Sequence, residues 1–320
     1  KEVFEFIEKE LKEIMPLLPS GVTYGRFTQN VANTLLARLY LNAEVYTGTP
    51  RWQDCLDACD KVQGYQLTPN YKASFAIQNE KSPEIIFAIP YDHKQGTVGN
   101  YLASMTYHYN QKQAFDPAGV YQWCGNGICA QPGLYSSFDA QDVRRNSLLI
   151  GQQYSAKDGS EVLMDNGEPL NYTEEIADFT NAAQNAGARL NKYEWSATDQ
   201  WERDNDWVLM RYAEILMMQA ECNFRLGYIP TALTYINQIR KRAGLTDLTS
   251  LTLDDIDTEW KHEFVFEGLR RTTNIRFGTY YNAWWEKPAD PADHHTGIYP
   301  IPKDELDKNP NLKQNPGYVN

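Results

Sequence analysis

Between positions 28 and 64, apolar residues recur every three or four positions, a spacing that predicts helices. The first predicted helix ends at Gly48, because glycine tolerates the positive φ of a helix C-terminus. Thr49 and Pro50 suit the N-cap and the first turn of a second helix, which ends at Gly64. The pattern therefore predicts two antiparallel helices joined by a short turn.

Residues 207–244 repeat this plan. A helical stripe that begins at Leu209 ends at Gly227, and a second stripe ends at Gly244. Each pair of helices spans roughly 34 residues, the length of a tetratricopeptide repeat. A long segment separates the two pairs, so the sequence predicts separated hairpins and not a continuous array. Two ordinary helical hairpins without common origin are the alternative interpretation.

The segment between the hairpins has a different pattern. Residues 84–89 form an apolar run that ends at Pro90, which predicts a short strand. Residues 96–205 lack a regular period and are rich in Gly, Asn, Asp, Ser and Tyr. Irregular backbone has to lie at the surface, where water satisfies its hydrogen bonds, and long loops of compact domains are usually functional. We therefore expect an irregular insert that faces a ligand.

The two ends of the chain differ. Residues 245–320 are predicted to hold a helix followed by an extended strap, because prolines recur between Gly297 and Tyr318 and each one fixes φ and removes a backbone donor. The predicted strap contains no helix. At the other end, Lys1 opens directly into a helical pattern, and we interpret the chain as beginning inside a longer precursor.

Charge and cysteine content narrow the classes of protein. The formal net charge of -12 disfavours nucleic acid and anionic membrane surfaces as partners. No apolar run approaches the ~18 residues that cross a bilayer. Cys55 and Cys59 are interpreted as buried thiols. Whether Cys124 and Cys129 close a small disulfide loop stays open, because the redox state of the compartment decides it. No zinc site is expected and no metal-binding residue is predicted, whereas the sequence leaves open whether calcium assists binding.

Three C-terminal stretches carry a family resemblance. They are WVLMRYAEIL with INQIRKRAGL inside residues 207–245, EFVFEGLR at 263–270, and YPIP, NPNL and QNPGY between 299 and 318. In this order they resemble the SusD/RagB family, surface lipoproteins that capture glycans for nutrient importers of Bacteroidetes. The chain departs from the family pattern at 260–262 and at 272–274. It is similar to the C-terminal part of such a protein, without the family's N-terminal segment.

The resemblance implies a mostly α fold: one SusD-like domain over residues 1–320, with tetratricopeptide-like hairpins, a loop-rich insert and an extended C-terminal strap. It implies a non-enzymatic protein at the surface of the outer membrane. Such a protein binds an oligosaccharide or polysaccharide and delivers it to a SusC-like TonB-dependent porin. It uses no cofactor and touches the membrane only through a lipid anchor. A tetratricopeptide-type protein adaptor and, less favoured, a helical glycoside hydrolase are the alternatives.

Ligand-binding residues are predicted from chemistry and location, not carried over from the family. An aromatic ring stacks on the apolar face of a sugar, and side-chain amides bind its hydroxyls. Aromatic and amide residues are densest between positions 100 and 126. The residues expected to bind ligand are Tyr101, Tyr107, Tyr109, Tyr121, Trp123 and Asn126. For each ring the alternative is a place in the core.

Carboxylates at helical spacing from arginines are interpreted as structural ion pairs and not as catalytic pairs. The five histidines accompany no nucleophile motif, phosphate-binding loop or metalloprotease motif. No catalytic residue is therefore predicted. The expected pairs are Glu214 with Arg211, Glu221 with Arg225, and Glu263 and Glu267 with Arg270 and Arg271.

Overall fold

A computed structural model gives the fold and describes residues 1–95, 99–116, 123–195 and 203–319. Within them the α-helices are α1 (Glu2–Ile14), α2 (Gln29–Leu41), α3 (Ala43–Thr47), α4 (Trp52–Cys59), α5 (Lys112–Phe115), α6 (Tyr212–Arg225), α7 (Ile229–Arg242), α8 (Leu253–Glu263), α9 (Arg270–Phe277) and α10 (Lys303–Lys308). The strands are β1 (Ile85–Ile89), β2 (Leu148–Leu149), β3 (Gly151–Gln152), β4 (Asn171–Tyr172), β5 (Arg189–Leu190) and β6 (Trp207–Arg211). The predicted mostly α class is confirmed. The chain forms two compact units, residues 1–268 and 269–320.

The first predicted hairpin is present, with one boundary shifted. Thr28 caps α2, since its side chain accepts a hydrogen bond from the backbone N–H of Val31. The turn at Gly48 is confirmed by its φ of 77°, which places it in the left-handed region. Thr49 and Pro50 belong to the turn, because α4 begins only at Trp52.

Helix α6 is the centre of the helical part. Every residue from Ala213 to Asn223 is buried, which is typical of a helix covered on all sides. Helices α2, α4, α7 and α8 all contact it. The two hairpins, which lie far apart in the sequence, therefore pack together through α4 and α6 into one helical layer.

The start of the second hairpin differs from the prediction. Residues Trp207–Arg211 form strand β6 and not the first turns of a helix, so the helical stripe assigned from Leu209 onward was wrong at its beginning. Strand β6 pairs antiparallel with β1, and Ile89 lies opposite Trp207. A short apolar run fits a helix or a strand equally well, and here a pairing partner on the far side of the insert decides. The strand predicted at residues 84–89 is confirmed as β1.

The described part of the insert is mostly irregular. Its regular elements are short: β2 pairs with β5, β3 pairs with β4, and single helical turns connect them. Buried apolar side chains still hold it together, and one cluster gathers around Val162, Leu170 and Tyr172. The insert is thus an ordered, loop-rich layer with its own small cores.

A buried ionic network joins the insert to the helices. Arg211, at the end of β6, places Nη1 2.8 Å from Oε1 of Glu84 and 2.5 Å from Oε1 of Glu263. Its Nε lies 2.7 Å from Oε2 of Glu267. Burial by itself would raise the pKa of Glu263, but the guanidinium groups of Arg242, Arg211 and Arg144 together hold it well below the usual range.

Further charged residues extend this network. Arg242, in the last turn of α7, binds Glu84 and Glu263, and Lys192 of the insert binds Glu267. The side chains of Arg144 and its partner Asp142 are fully buried, and Arg144 also binds Glu259 and Glu263. The partners that the structure shows for Glu263 and Glu267 are thus cations distant in sequence, and the local pairing with Arg270 and Arg271 stays a prediction.

The carboxylates of α6 bind two different arginines. Glu221 pairs with Arg225, whose Nε lies 2.9 Å from Oε1, as predicted. The expected pair of Glu214 with Arg211 is wrong, because Nε of Arg38 on α2 lies 2.5 Å from Oε1 of Glu214. Helix-to-helix packing brings Arg38 to this carboxylate, a contact that spacing along one helix cannot show.

The segment after α8 is a turn. Helix α8 ends at Glu263, so the stretch EFVFEGLR at 263–270 lies almost entirely after it. Phe266 and Gly268 then adopt positive φ values of 64° and 77°, which stop helical hydrogen bonding. This turn brings Glu267 back to Arg211.

The second unit contains a helix that the sequence did not predict. Helix α10 (Lys303–Lys308) interrupts the strap, so the expectation of a wholly extended segment was wrong. Pro302 precedes α10 and Pro310 follows it, and the proline-free stretch between them is long enough for a short helix. The segment before α10 is extended, and the amide of Gln314 holds it by hydrogen bonds to N and O of Ile301.

Glu8 attaches α1 to the first hairpin, and its replacement is expected to weaken the fold in a pH-dependent way. Its carboxylate accepts hydrogen bonds from Lys12, from the hydroxyl of Tyr40 at 2.8 Å and from Arg51 at 3.2 Å. Burial raises the pKa of Glu8, but these donors outweigh it and lower the pKa to about 2. Because the folded-state pKa is depressed, the stabilisation is present above pH ~4.5 and is lost as the pH falls toward 2.

We therefore expect Glu8→Gln to lower the free energy of unfolding by ~1 kcal/mol at pH 7, the solvent-screened size of such a pair. The difference from wild type should shrink as the pH falls from 5 to 2.5. Urea unfolding followed by circular dichroism measures it, with Glu10→Gln on the exposed side of α1 as the control. A deficit that stays constant over this pH range would contradict the assignment.

Candidate functional site

Backbone hydrogen bonds join the segment after Trp123 to the segment that ends at Tyr107. The N–H of Gly127 donates to O of Met105 at 2.7 Å, and the N–H of Asn126 donates to O of Tyr107 at 2.8 Å. Asn126 has a φ of 48°, in the left-handed region that asparagine tolerates better than most residues. Two parts of the insert are thereby held side by side.

Tyr109 presents its ring to solvent at this junction. Its side chain is 44% exposed, and its ring lies against that of His108 with centroids 5.2 Å apart. His108 itself is buried. Its Nδ1 accepts a hydrogen bond from the backbone N–H of Asn110 at 3.1 Å, and its Nε2 lies 3.0 Å from Oε1 of Gln184. The buried imidazole therefore connects the exposed tyrosine to an exposed glutamine.

Gln184 is fixed through its backbone as well. Its carbonyl oxygen accepts from Nδ2 of Asn126 at 3.0 Å and from Nη2 of Arg189 at 2.6 Å. Arg189 is buried, with its guanidinium over the ring of Tyr172 at 4.7 Å. The loop that carries Gln184 thus rests on a rigid support. Sequence reasoning missed Gln184, because one glutamine in a polar loop carries no distinguishing signal.

Asn110 supplies the next polar group of the same surface. Its Nδ2 donates to O of Leu163 at 2.8 Å and to Oδ1 of Asp165 at 3.1 Å. Asp165 is exposed. We use the name Tyr109 surface for Tyr109, Asn110, Asn126, Asp165 and Gln184. It combines one exposed aromatic ring with amide and carboxylate groups, a set that suits a ligand with an apolar face and a rim of hydroxyls.

Trp123 packs on Gly125, the residue that precedes Asn126 of this surface. A β-carbon built on Gly125 would lie 2.6 Å from the ring of Trp123, so the ring covers the bare glycine backbone. The side chain of Trp123 is partly exposed. Glycine at position 125 is therefore required for the present position of the indole.

The predicted ligand-binding residues differ in their exposure to solvent. Tyr109 and Tyr101 are exposed, at 44% and 41%, and Trp123 is partly exposed, so all three can reach a ligand. The side-chain amide nitrogen of Asn126 donates a hydrogen bond to the backbone carbonyl of Gln184, so Asn126 supports the loop that carries Gln184. Tyr121 lies outside the described residues.

Tyr107 requires a correction. Its side chain is fully buried, its hydroxyl donates to Oδ1 of Asn191 at 2.8 Å, and its ring contacts Phe115 and Trp195 edge to face. A ring enclosed in this way cannot stack on a ligand. Tyr107 was predicted as a binding residue because it lies in the stretch where aromatic and amide residues are densest, but the chain turns its ring into the core.

The cysteine and acidic side chains of the described residues form neither a disulfide nor a metal-binding cluster. Cys124 and Cys129 are both free thiols, and burial raises the pKa of Cys124 to about 11. Over residues 1–95, 99–116, 123–195 and 203–319, no group of three or more His, Cys, Asp or Glu side chains is placed to hold a metal ion. In the same ranges, no helix has both the length and the apolar character needed to cross a membrane.

Comparison with known proteins gives the class. The model of the SusD family matches residues 83–318, and the chain belongs to this family. It is 27% identical to the starch-binding protein SusD of Bacteroides thetaiotaomicron, over 99% of the chain and 65% of that relative. SusD-like protein P2 of Formosa agariphila is 26% identical and is covered to the same 65%. The chain thus spans just under two thirds of the length of these relatives.

Solved structures share the fold. Surface glycan-binding protein A of Bacteroides thetaiotaomicron, in complex with laminarihexaose, matches with a TM-score of 0.70 and 23% identity, over 98% of this chain and 70% of that one. NanU of Bacteroides fragilis matches with a TM-score of 0.74 and 20% identity, over 100% of this chain and 70% of that one. The resemblance stated from the sequence is confirmed.

Proposed function

We propose that this protein binds an oligosaccharide or polysaccharide without transforming it, and that the Tyr109 surface together with Trp123 contributes to binding. The observation that carries the proposal is the exposed ring of Tyr109, which packs on the buried His108 that also binds the amide of Gln184, in a chain of the SusD family. Relatives named for starch and glycan binding, and a neighbour in complex with laminarihexaose, support it.

The chemistry of the surface favours a carbohydrate. A tyrosine or indole ring provides the apolar platform for the C–H face of a sugar, and amide groups can donate to or accept from its hydroxyls. Each such stacking contact contributes about 1 kcal/mol, and part of this offsets the ordering of a flexible glycan. We therefore expect modest affinity, and affinity that rises when several sugar units are bound at once.

Isothermal titration against starch, fructan, xylan, mannan, laminarin and mucin glycans tests the proposal. One of these should bind, and the double variant Tyr109→Ala/Trp123→Ala should weaken its binding at least ~10-fold, the effect of losing about 1.4 kcal/mol. Tyr228→Ala is the matched control, since Tyr228 is an exposed tyrosine at the turn between α6 and α7. Wild type that binds no glycan of the panel would contradict the proposal.

The same assay separates the alternatives. A protein adaptor that uses its helix pairs would bind its partner equally well with and without the double substitution. A glycoside hydrolase would release shorter products from a bound oligosaccharide during long incubation, which chromatography detects. We expect the glycan to be recovered intact.

We also propose that the protein acts at the outer-membrane surface as a lipid-anchored component and delivers glycan to a SusC-like TonB-dependent porin. Membership of the SusD family supports this proposal. Co-purification of that porin with the tagged full-length protein from outer membranes tests it. Recovery of the protein from the cytosol, without the porin, would contradict both the location and the partner.

A further inference from the structure

Gln184 is an exposed residue that the protein holds in a single orientation. A glutamine side chain at the surface normally samples several rotamers, and fixing it costs conformational entropy. Here the side-chain oxygen is bound by His108 and the backbone oxygen by Asn126 and Arg189. Three side chains of the insert thus converge on a residue that the fold does not bury.

The protonation state of His108 fixes which end of this amide faces outward. The backbone N–H of Asn110 donates to Nδ1 of His108, so Nδ1 carries a lone pair and no proton. In the neutral imidazole the proton is then on Nε2. Nε2 therefore donates to Gln184, and its partner has to be the amide oxygen Oε1. The amino group of Gln184 is left to point away from the histidine.

The oxygen and nitrogen of a glutamine side-chain amide are usually hard to tell apart. Here the backbone of Asn110 determines which of the two atoms faces His108. The N–H of Asn110 sets the tautomer, and the tautomer sets the amide. The ring of Tyr109 packs against the same imidazole, with centroids 5.2 Å apart. His108 thus contacts both the exposed aromatic ring and the amide that carries a pair of N–H donors.

We propose that Gln184 is a specificity-determining residue of the glycan site, and that His108 is its positioning residue. The amino group of Gln184 donates hydrogen bonds to a hydroxyl or ring oxygen of a sugar unit that stacks on Tyr109. This inference rests on the proposed glycan binding and adds the group that recognises the polar edge of the ligand. Because His108 holds the amide in place beforehand, the ligand does not have to order it.

Binding measurements with the variant Gln184→Met test whether Gln184 contributes to glycan binding. Methionine keeps the length of the side chain and removes both polar atoms. Titration with the panel glycan that binds wild type most tightly should show a loss of roughly 3- to 10-fold, the value of one or two neutral hydrogen bonds. The control is Gln141→Met, at another exposed glutamine of the insert. Unchanged affinity of Gln184→Met, with Tyr109→Ala still impaired, overturns the inference and leaves the proposed function standing.

Nuclear magnetic resonance tests, without any glycan, whether His108 positions the amide of Gln184. In wild type the ¹⁵N signals of His108 should show an unprotonated Nδ1 and a protonated Nε2, and the side-chain NH₂ of Gln184 should be rigid in ¹⁵N relaxation. His108→Phe keeps a ring beside Tyr109 but should release this NH₂ to fast motion. A protonated Nδ1, or a Gln184 amide that is equally mobile in both proteins, overturns the inference even if glycan binds. Wild type that binds no panel glycan overturns the inference together with the proposed function.

Discussion

Arg211→Met will lower the free energy of unfolding by about 3–5 kcal/mol at pH 7, the usual cost of removing one partner from a buried ionic network. Methionine fills much of the arginine's volume, so the effect comes from the lost charge. The substitution leaves the buried carboxylates of Glu84, Glu263 and Glu267 without the cation that all three share in the wild type. Urea unfolding followed by circular dichroism measures the change.

The loss of unfolding free energy caused by Arg211→Met should become smaller as the pH falls. Burial raises the pKa of Glu267, but Arg211 and Lys192 outweigh burial and lower it, and Glu263 is lowered likewise. A carboxyl with a depressed folded-state pKa stabilises the fold fully above about pH 5 and loses that contribution as the pH falls. Without Arg211 these carboxyls take up protons more readily, so the difference from wild type should shrink between pH 5 and pH 3.

Lys241→Met is the matched control for this experiment. Lys241 is a cation of the last turn of α7, next to Arg242, but its side chain is exposed and lies 3.9 Å from Asp247. An exposed pair of this kind contributes little, so the control should unfold like wild type. A loss below ~1 kcal/mol for Arg211→Met, independent of pH, would show that the network is not a determinant of stability.

Tyr107→Ala will also destabilise the protein, by about 3–5 kcal/mol, because a large aromatic ring leaves a fully enclosed site. The ring contacts Phe115 and Trp195, with centroids 5.2 Å and 5.7 Å away. These neighbours belong to different segments of the insert, which restricts how far the site can collapse. The measurement is again urea unfolding at neutral pH.

Tyr107→Phe separates a core role from a ligand role. It keeps the ring and removes the hydroxyl that donates to Asn191, so it should cost about 1 kcal/mol of stability. Its affinity for glycan should equal that of wild type. A Tyr107→Phe protein of normal stability but reduced glycan affinity would return Tyr107 to the binding site and refute its assignment to the core.

Local signals in the sequence were sufficient for the helical framework. Apolar residues at intervals of three and four, with glycine stops at positions 48, 227 and 244, predicted the helix pairs, and the structure places all three glycines at positive φ. The apolar run at residues 84–89 predicted β1. These features depend on contacts between residues close in sequence, so the local pattern of apolar residues and glycines is enough to predict them.

Long-range contacts decided what the pattern left ambiguous. Residues 207–211 are a strand because β1 offers a pairing edge, and Glu214 binds Arg38 because α2 packs on α6. Neither partner is adjacent in sequence. Glu263 and Glu267 likewise bind cations from the insert, β6 and α7, which the spacing along one helix could not show.

The sequence by itself determined the family, the helix pairs and the part of the insert in which aromatic and amide residues concentrate. Only the tertiary structure decided that the ring of Tyr107 points into the core, that the ring of Tyr109 points to solvent, and that Gln184 binds the same His108 on which Tyr109 packs. In an irregular segment no period relates neighbouring side chains to a face. Their directions follow from backbone hydrogen bonds between distant segments, such as those that join residues 126 and 127 to residues 107 and 105.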